Sequence, residues 1–184
     1  KKDWERRYGK MVSEKIFVLP FSYDENSPVI DHAKPINKKK KRILYVGNLY
    51  LDRNLEDIIK ALKIMKAKIP DLEEKIEFMF IGNVPNRDKI NISSNNLNNL
   101  FVFLGQKPYN ELSTFYNEAD LLLVIDAPAE ENLFFPSKLI EYFLYQKPIL
   151  SISPKISVTH DLLSESGHKW IENGDINQMV EYFI

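Results

Sequence analysis

From Arg42 to the end of the chain, short runs that are apolar on both faces alternate with longer segments that carry an apolar residue every third or fourth position. The runs are Ile43–Val46, Ile76–Ile81, Phe101–Leu104, Leu121–Ile125, Ile149–Ile152 and Lys169–Ile171. Leu121-Leu122-Leu123-Val124-Ile125 has no polar alternation at all, which predicts a parallel strand covered on both faces. Between the runs, Leu55, Ile58, Ile59 and Leu62 follow the i, i+3, i+4, i+7 stripe of an amphipathic helix. Leu112, Phe115 and Tyr116 repeat it, as do Leu139, Ile140, Phe143 and Leu144, and a last helix is expected from Ile176 to Phe183. The Asn- and Ser-rich stretch Arg87–Asn99 reads as either a frayed helix or a loop. Strand–helix alternation of this kind predicts an α/β domain, a Rossmann-like doubly wound parallel sheet. Ligands of such sheets bind beyond the carboxyl ends of the strands.

Residues 1–41 have a different texture and are read as a separate N-terminal segment, with the α/β domain over 42–184. A short amphipathic helix leads into the apolar run Ile16–Pro20, expected as an isolated strand, and then into a turn-rich stretch over 22–37. The run Lys38-Lys39-Lys40-Lys41-Arg42 reads as a solvated linker, with attraction to a membrane surface as the alternative. The chain opens on Lys1, in what reads as mid-helix, so a preceding N-terminal domain is expected.

Composition narrows the chemistry. Without cysteine there is no disulfide, thiolate metal site or cysteine nucleophile, which suits a reducing, cytoplasmic setting. The formal net charge of -1 argues against a general nucleic-acid binder. His32, His160 and His168 are scattered and suggest no metal site.

Three predicted strands end in one phrase, an apolar pair followed by glycine and an amide: Gly47-Asn48, Gly82-Asn83 and Gly105-Gln106. Glycine lets backbone or ligand approach closely, and an amide both donates and accepts. The loop after Gly47 is not G-x-G-x-x-G, so a dinucleotide-type turn is not supported. It does open a helix, whose first N–H groups favour an anion, and Arg53 adds a guanidinium suited to phosphate. The most informative segment is Pro136-Ser137-Lys138-Leu139-Ile140-Glu141-Tyr142, followed by Lys147-Pro148. Pro136 suits a first helical turn, Ser137 can cap it, and Lys138 stands where a phosphate would arrive. Ser137 and Glu141, four apart, share one helix face.

In order and spacing, these pieces resemble the C-terminal domain of GT-B glycosyltransferases, close to the family 4 type, over roughly residues 42–183. Residues 12–30 resemble that family's link between its two domains. The resemblance implies transfer of a sugar from a UDP- or GDP-linked donor, with retention, to a glycan or lipid-linked acceptor held by the absent N-terminal domain. It further implies synthesis of surface polysaccharide or glycoconjugate, in the cytoplasm or at the inner face of the membrane. On that resemblance Glu141 would bind the ribose hydroxyls, the backbone at Pro136, Ser137 and Lys138 would meet the diphosphate, Arg53 would neutralise the leaving phosphate, and Gln106-Lys107 would flank the base.

The pattern also departs from the family. Asn48 and Arg53 stand where an arginine and a lysine are usual, Leu133 where a carboxylate is usual, and Gln146 where glycine is usual. Glu130 and Glu131 are the candidate substitutes for the missing carboxylate. Two rivals follow: a non-catalytic nucleotide-sugar-binding or scaffold module, and a nucleotide-sugar epimerase of related fold.

Overall fold

The computed structural model describes residues 2–17 and 39–184. Two short helices come first, α1 (Lys2–Tyr8) and α2 (Lys10–Ser13). Ile16 and Phe17 are not in a strand, and the remainder of the expected strand at Ile16–Pro20 lies outside the described residues. The α/β part then runs β1 (Lys41–Val46), α3 (Glu56–Lys68), α4 (Leu72–Lys75), β2 (Ile76–Ile81), α5 (Asn86–Ser94), β3 (Phe101–Phe103), α6 (Leu112–Glu118) and β4 (Leu121–Ile125). It continues with β5 (Glu131–Asn132), α7 (Lys138–Leu144), β6 (Ile149–Ser153), β7 (Ile156–Ser157), α8 (Val158–Glu165), β8 (Lys169–Glu172) and α9 (Ile176–Phe183).

Six strands form one parallel sheet in the order β3-β2-β1-β4-β6-β8. The chain builds outward from β1 through β2 to β3, then returns to the centre and builds the other way from β4. The strand order therefore reverses between β1 and β4, the place where open α/β sheets hold ligands. One apolar layer contains Ile43, Tyr45, Phe78, Phe80 and Leu123 with α3, α5 and α9. The opposite layer contains Leu44, Met79, Leu122 and Val124 with α6, α7 and α8. Successive residues of one strand feed opposite layers, as the period of two requires. The doubly wound expectation holds, and the six strands lie where the apolar runs are.

Several expectations need correction. Lys41 and Arg42 are strand residues, not linker. The Arg42 guanidinium is largely buried and pairs with Glu77 at 2.6 Å and with Glu118, while its backbone N–H donates to Asp120 at 2.9 Å. Three acids on neighbouring elements thus anchor the end of a basic run. The stretch at Arg87–Asn99 contains a true helix, α5, because Ile92 and Leu97 are buried against the first layer despite the polar composition. Helix α8 and the two-residue pair β5·β7 carried no clear sequence signal: two residues are too few to show a period.

Backbone geometry at two strand ends fixes the shape of the centre. Gly47 N–H donates to Ile81 O at 2.8 Å, Gly82 N–H to Gly105 O at 2.8 Å and Leu49 N–H to Asn83 O at 2.9 Å. Both Gly47 and Gly82 have positive φ, 131° and 120°. A β-carbon on Gly82 would stand 2.2 Å from the Gly47 carbonyl oxygen, inside any tolerable contact. Gln146 also has a positive φ, 50°, which an L side chain adopts at a cost of roughly 1 kcal/mol. This explains in backbone terms why glycine is favoured before Lys147-Pro148.

Two stability outcomes follow. Gly82→Ala should destabilise the fold by about 3 kcal/mol, because backbone must move to admit the new carbon; urea unfolding measures it. Gln146→Gly should lose little and gain up to about 1 kcal/mol, since the left-handed strain outweighs the extra chain entropy of glycine; a higher denaturation midpoint is the expected result.

Candidate active site

Where β1 and β4 part, a cleft of about 450 Å³ opens at the carboxyl ends of the strands. Tyr45, Gly47 and Asn48 from the end of β1, Tyr50, Leu51 and Arg53 from the loop after it, and Ile125 and Asp126 from β4 form one wall. Phe134, Phe135, Pro136, Ser137 and Lys138, leading into α7, form the other. The two segments singled out in the sequence, around Arg53 and around Ser137, therefore meet on one cleft rather than on opposite edges of the sheet.

Lys138 is held by what Gly47 lacks. Its Nζ lies 2.9 Å from the point where a Gly47 β-carbon would be, and 3.8 Å above the centroid of the Tyr45 ring. An ammonium over an aromatic face is an attractive arrangement. Among the described residues no carboxylate or carbonyl is within hydrogen-bond distance of this nitrogen. Burial, with the neighbouring Arg53 charge adding to it, drives the Lys138 pKa down to about 7. Tyr45 is wholly buried beneath it, its hydroxyl donating to Asn48 O at 3.3 Å, and its pKa is pushed up by desolvation.

Arg53 is not a free surface side chain. Its Nε donates to Ile125 O at 3.2 Å, its guanidinium carbon lies 4.5 Å from the centroid of the Tyr50 ring, and a terminal nitrogen is 3.8 Å from Asp126 Oδ1. The loop that carries it is pinned from α5, where Arg87 donates to Leu51 O at 2.9 Å and Arg53 O at 3.0 Å. Asp88, buried beside Arg87, accepts from Leu55 N–H at 2.9 Å, and Asn54 accepts from Glu56 N–H at 2.9 Å. These two acceptors occupy N–H groups at the start of α3. No residue of α3 lines the cleft, so the positive charge on this side is that of Arg53.

Two other expectations about helix α7 change. It begins at Lys138, and the Ser137 side chain makes no capping hydrogen bond. Glu141 does not line the cleft. It accepts from Tyr116 Oη at 2.8 Å and lies electrostatically close to Tyr109, Tyr142 and Tyr145, in an aromatic surround one helical turn further on. Tyr142 ties the two central strands together: its hydroxyl donates to Leu123 O at 3.2 Å and accepts from Val46 N–H at 3.0 Å.

The other predicted residues are spread over several places. Gly47, Asn48, Arg53, Pro136, Ser137 and Lys138 share the cleft. Gly82 and Asn83 stand behind it, where Asn83 N–H donates to the Asn48 side-chain oxygen at 2.7 Å. They support the wall instead of facing a ligand. Gln106 is exposed beyond β3, two strands from β1. Glu130 and Glu131 are exposed and neither lines the cleft; Glu131 pairs with Arg6 at 3.5 Å. His160 pairs with Asp161 at 3.1 Å and packs edge-on to Trp170, and His168 Nδ1 accepts from Ile149 N–H at 3.4 Å; both sit in structural roles.

One cleft residue has no sequence signal. Asp126, at the end of β4, is 1% exposed. Its Oδ2 accepts from Thr159 Oγ1 at 2.6 Å, while Oδ1 accepts no hydrogen bond of normal geometry among the described residues. Burial raises its pKa, and Thr159, Arg53, Lys138 and the Asn132 side chain oppose that shift. A single aspartate after an apolar run reads as a turn residue. Only its three-dimensional neighbours mark it.

The cleft can therefore receive a compact anion between a guanidinium and a desolvated ammonium. No helix among the described residues is long and apolar enough to cross a membrane.

Comparison with known proteins agrees with the fold. The structure resembles WaaG, a glycosyltransferase involved in lipopolysaccharide biosynthesis, with a TM-score of 0.69 and 16% identity over 98% of this chain and 49% of that one. It resembles sucrose-phosphate synthase from Thermosynechococcus elongatus with a TM-score of 0.68 and 18% identity, covering 98% of this chain and 45% of that one. It also matches the C-terminal domain of a glycosyl transferase group 1 family protein (LpcC) from Francisella tularensis, with a TM-score of 0.58 and 12% identity over 85% and 86% of the two chains. The chain thus spans about half the length of the first two. No curated protein matches this sequence. Residues 26–183, a stretch that begins before Arg42, match the family described as Glycosyl transferases group 1, and the chain belongs to that family.

Proposed function

We propose that this chain is the donor-binding half of a sugar-transferring enzyme, and that its cleft holds the diphosphate of a UDP- or GDP-linked sugar. The observation that carries this reading is the convergence of Arg53 and Lys138 on one cleft at the β1/β4 reversal, with the Lys138 ammonium held over the Tyr45 ring. Membership of the glycosyl transferase family supports the reaction class. The acceptor, a glycan or lipid-linked sugar, would be met by a further domain, since this chain covers about half of its full-length structural relatives. Retention of configuration and a role in surface polysaccharide synthesis at the inner face of the membrane belong to the same proposal.

The chemistry asked of these residues is stabilisation of a leaving group. As the bond from the sugar to the diphosphate breaks, negative charge grows on the departing phosphate. Donors and cations fixed in advance at that position supply about 3–4 kcal/mol each. Arg53 offers a rigid planar fork and Lys138 a compact charge in a place with little competing water. In the same proposal Glu141, outside the cleft and one turn along α7, takes the ribose hydroxyls of a nucleoside lying across the start of that helix.

A second reading, a nucleotide-sugar-binding module without transfer activity, has one specific observation in its favour. Leu133 replaces the usual carboxylate, and neither Glu130 nor Glu131 reaches the cleft. Nucleotide binding without sugar transfer by the enzyme joined to its N-terminal domain would select it.

Calorimetry with UDP and GDP tests the main proposal. One of them should bind, and Lys138→Met and Arg53→Met should each weaken binding by at least tenfold, about 1.4 kcal/mol, with the fold intact by circular dichroism. Absence of binding to either nucleotide by the folded native chain rejects the donor-site reading. The chain alone should bind nucleotide weakly and transfer no sugar, as product analysis would show.

Binding should also depend on pH in a defined direction. Lys138 titrates near 7 in the free protein, and a bound diphosphate favours its charged form, so its pKa rises in the complex. Affinity is then full below about pH 7 and falls by up to about tenfold per pH unit above it, until the raised pKa of the complex is reached. In Lys138→Met this slope should become clearly shallower.

A further inference from the structure

Asp126 is the one carboxylate lining a cleft that is otherwise built for an anion. Its backbone is fixed on both sides: its N–H donates to Ile152 O at 2.9 Å, and its carbonyl accepts from the Asn173 side chain at 3.4 Å. Its side chain is fixed by Thr159, from α8. What remains is Oδ1, fully buried, without a hydrogen bond of normal geometry among the described residues, beside the Asn132 side chain and 3.8 Å from an Arg53 nitrogen. That separation is close enough for ionic attraction and too long for a hydrogen bond. A buried carboxylate left half-satisfied is costly unless it acts on charged neighbours.

Those neighbours come from every element around it. Arg53 reaches in from the loop after β1, Tyr45 from β1 itself, Lys138 from the start of α7, Asn132 from β5 and Thr159 from α8. Arg53 and Lys138 are two like charges in one poorly hydrated cleft, and each disfavours the other. Asp126 is the only negative group among the described residues that faces both.

Building on the donor-site reading above, we propose that Asp126 is a positioning residue, which draws Arg53 down over the cleft and lends both cations the negative charge that the empty site otherwise lacks. It stands in for the phosphate until the phosphate comes. When a diphosphate enters, Arg53 and Lys138 turn their charge to it, and Asp126 is left among anions. It then takes up a proton, held between Thr159 and the site, so that the carboxylate does not repel the ligand.

Three measurements on the full chain test this. First, the Lys138 ammonium is titrated by NMR without nucleotide. Native Lys138 should titrate near pH 7, and in Asp126→Asn, which keeps the shape but loses the charge, it should titrate about one unit lower. Thr159→Val removes the hydrogen bond and keeps a carboxyl group that can still ionise, so Lys138 should move less there than in Asp126→Asn. An unmoved Lys138 in Asp126→Asn, or an equal shift in Thr159→Val, overturns the proposal. Second, calorimetry with UDP or GDP across about pH 6–9 should show the loss of affinity beginning about one pH unit lower in Asp126→Asn. Third, the native chain alone suffices if the variant does not fold. The Asp126 carboxyl carbon signal should titrate at higher pH with nucleotide bound than without it, and an unchanged midpoint rejects the proposal. The nucleotide-free titration of Lys138 stands even if neither nucleotide binds, so failure of the donor-site reading and failure of the Asp126 role are told apart.

Discussion

The centre of this structure depends on the absence of one side chain. Gly47 ends β1 at the point where the strand order reverses, and the Lys138 ammonium uses the space its missing β-carbon leaves. On one side Gly82, itself without a β-carbon, comes against the Gly47 carbonyl, which ties the ends of β1 and β2 into one floor. On the other, the Lys138 ammonium enters from α7 and settles over Tyr45. A strand end, a neighbouring strand and a helix from the other half of the sheet are thereby brought within van der Waals distance. Any side chain at Gly47 would push Lys138 out and widen the gap that the strand-end hydrogen bonds close.

That steric permission creates an electrostatic problem. Lys138 is drawn into a place with little water, near Arg53, and both effects disfavour its charge. The aromatic face of Tyr45 compensates in part, and Asp126 opposes the effect from across the cleft. The result is a cation poised near neutrality of charge at physiological pH. In the proposed function this is useful: a group that becomes fully charged only when an anion arrives binds that anion strongly and leaves little unpaired charge in the empty site. The surrounding rigidity, with Arg87 pinning the Arg53 loop and Tyr142 bridging β1 and β4, keeps the positions fixed in advance.

The departures from the usual family pattern take on different meanings in three dimensions. Gln146 is a strained residue in a glycine position, a matter of backbone alone. Asn48 is not a substitute for a cation, because its side-chain oxygen is committed to Asn83 N–H. Leu133 stands where the family's customary carboxylate would be, and the neighbouring glutamates do not repair the loss because neither lines the cleft. The acid that the cleft does contain, Asp126, comes from a different strand end and is committed to the cations.

Most of the architecture was legible in the sequence. Six apolar runs gave six strands, the helical stripes gave the main helices, and the order of strand-end glycines with Pro136-Ser137-Lys138 was enough to suggest the family. Periodicity and turn chemistry are local, so neighbouring residues suffice to express them. What only the tertiary structure decided was which strand ends adjoin and which charges then face each other. Gly82 and Asn83 carry the same phrase as Gly47 and Asn48, yet packing turned them into supports. Asp126 and Asp88 look like ordinary turn acids until Arg53 and the start of α3 are brought beside them. Burial and electrostatic coupling depend on groups far apart in the chain, and no local pattern encodes that distance.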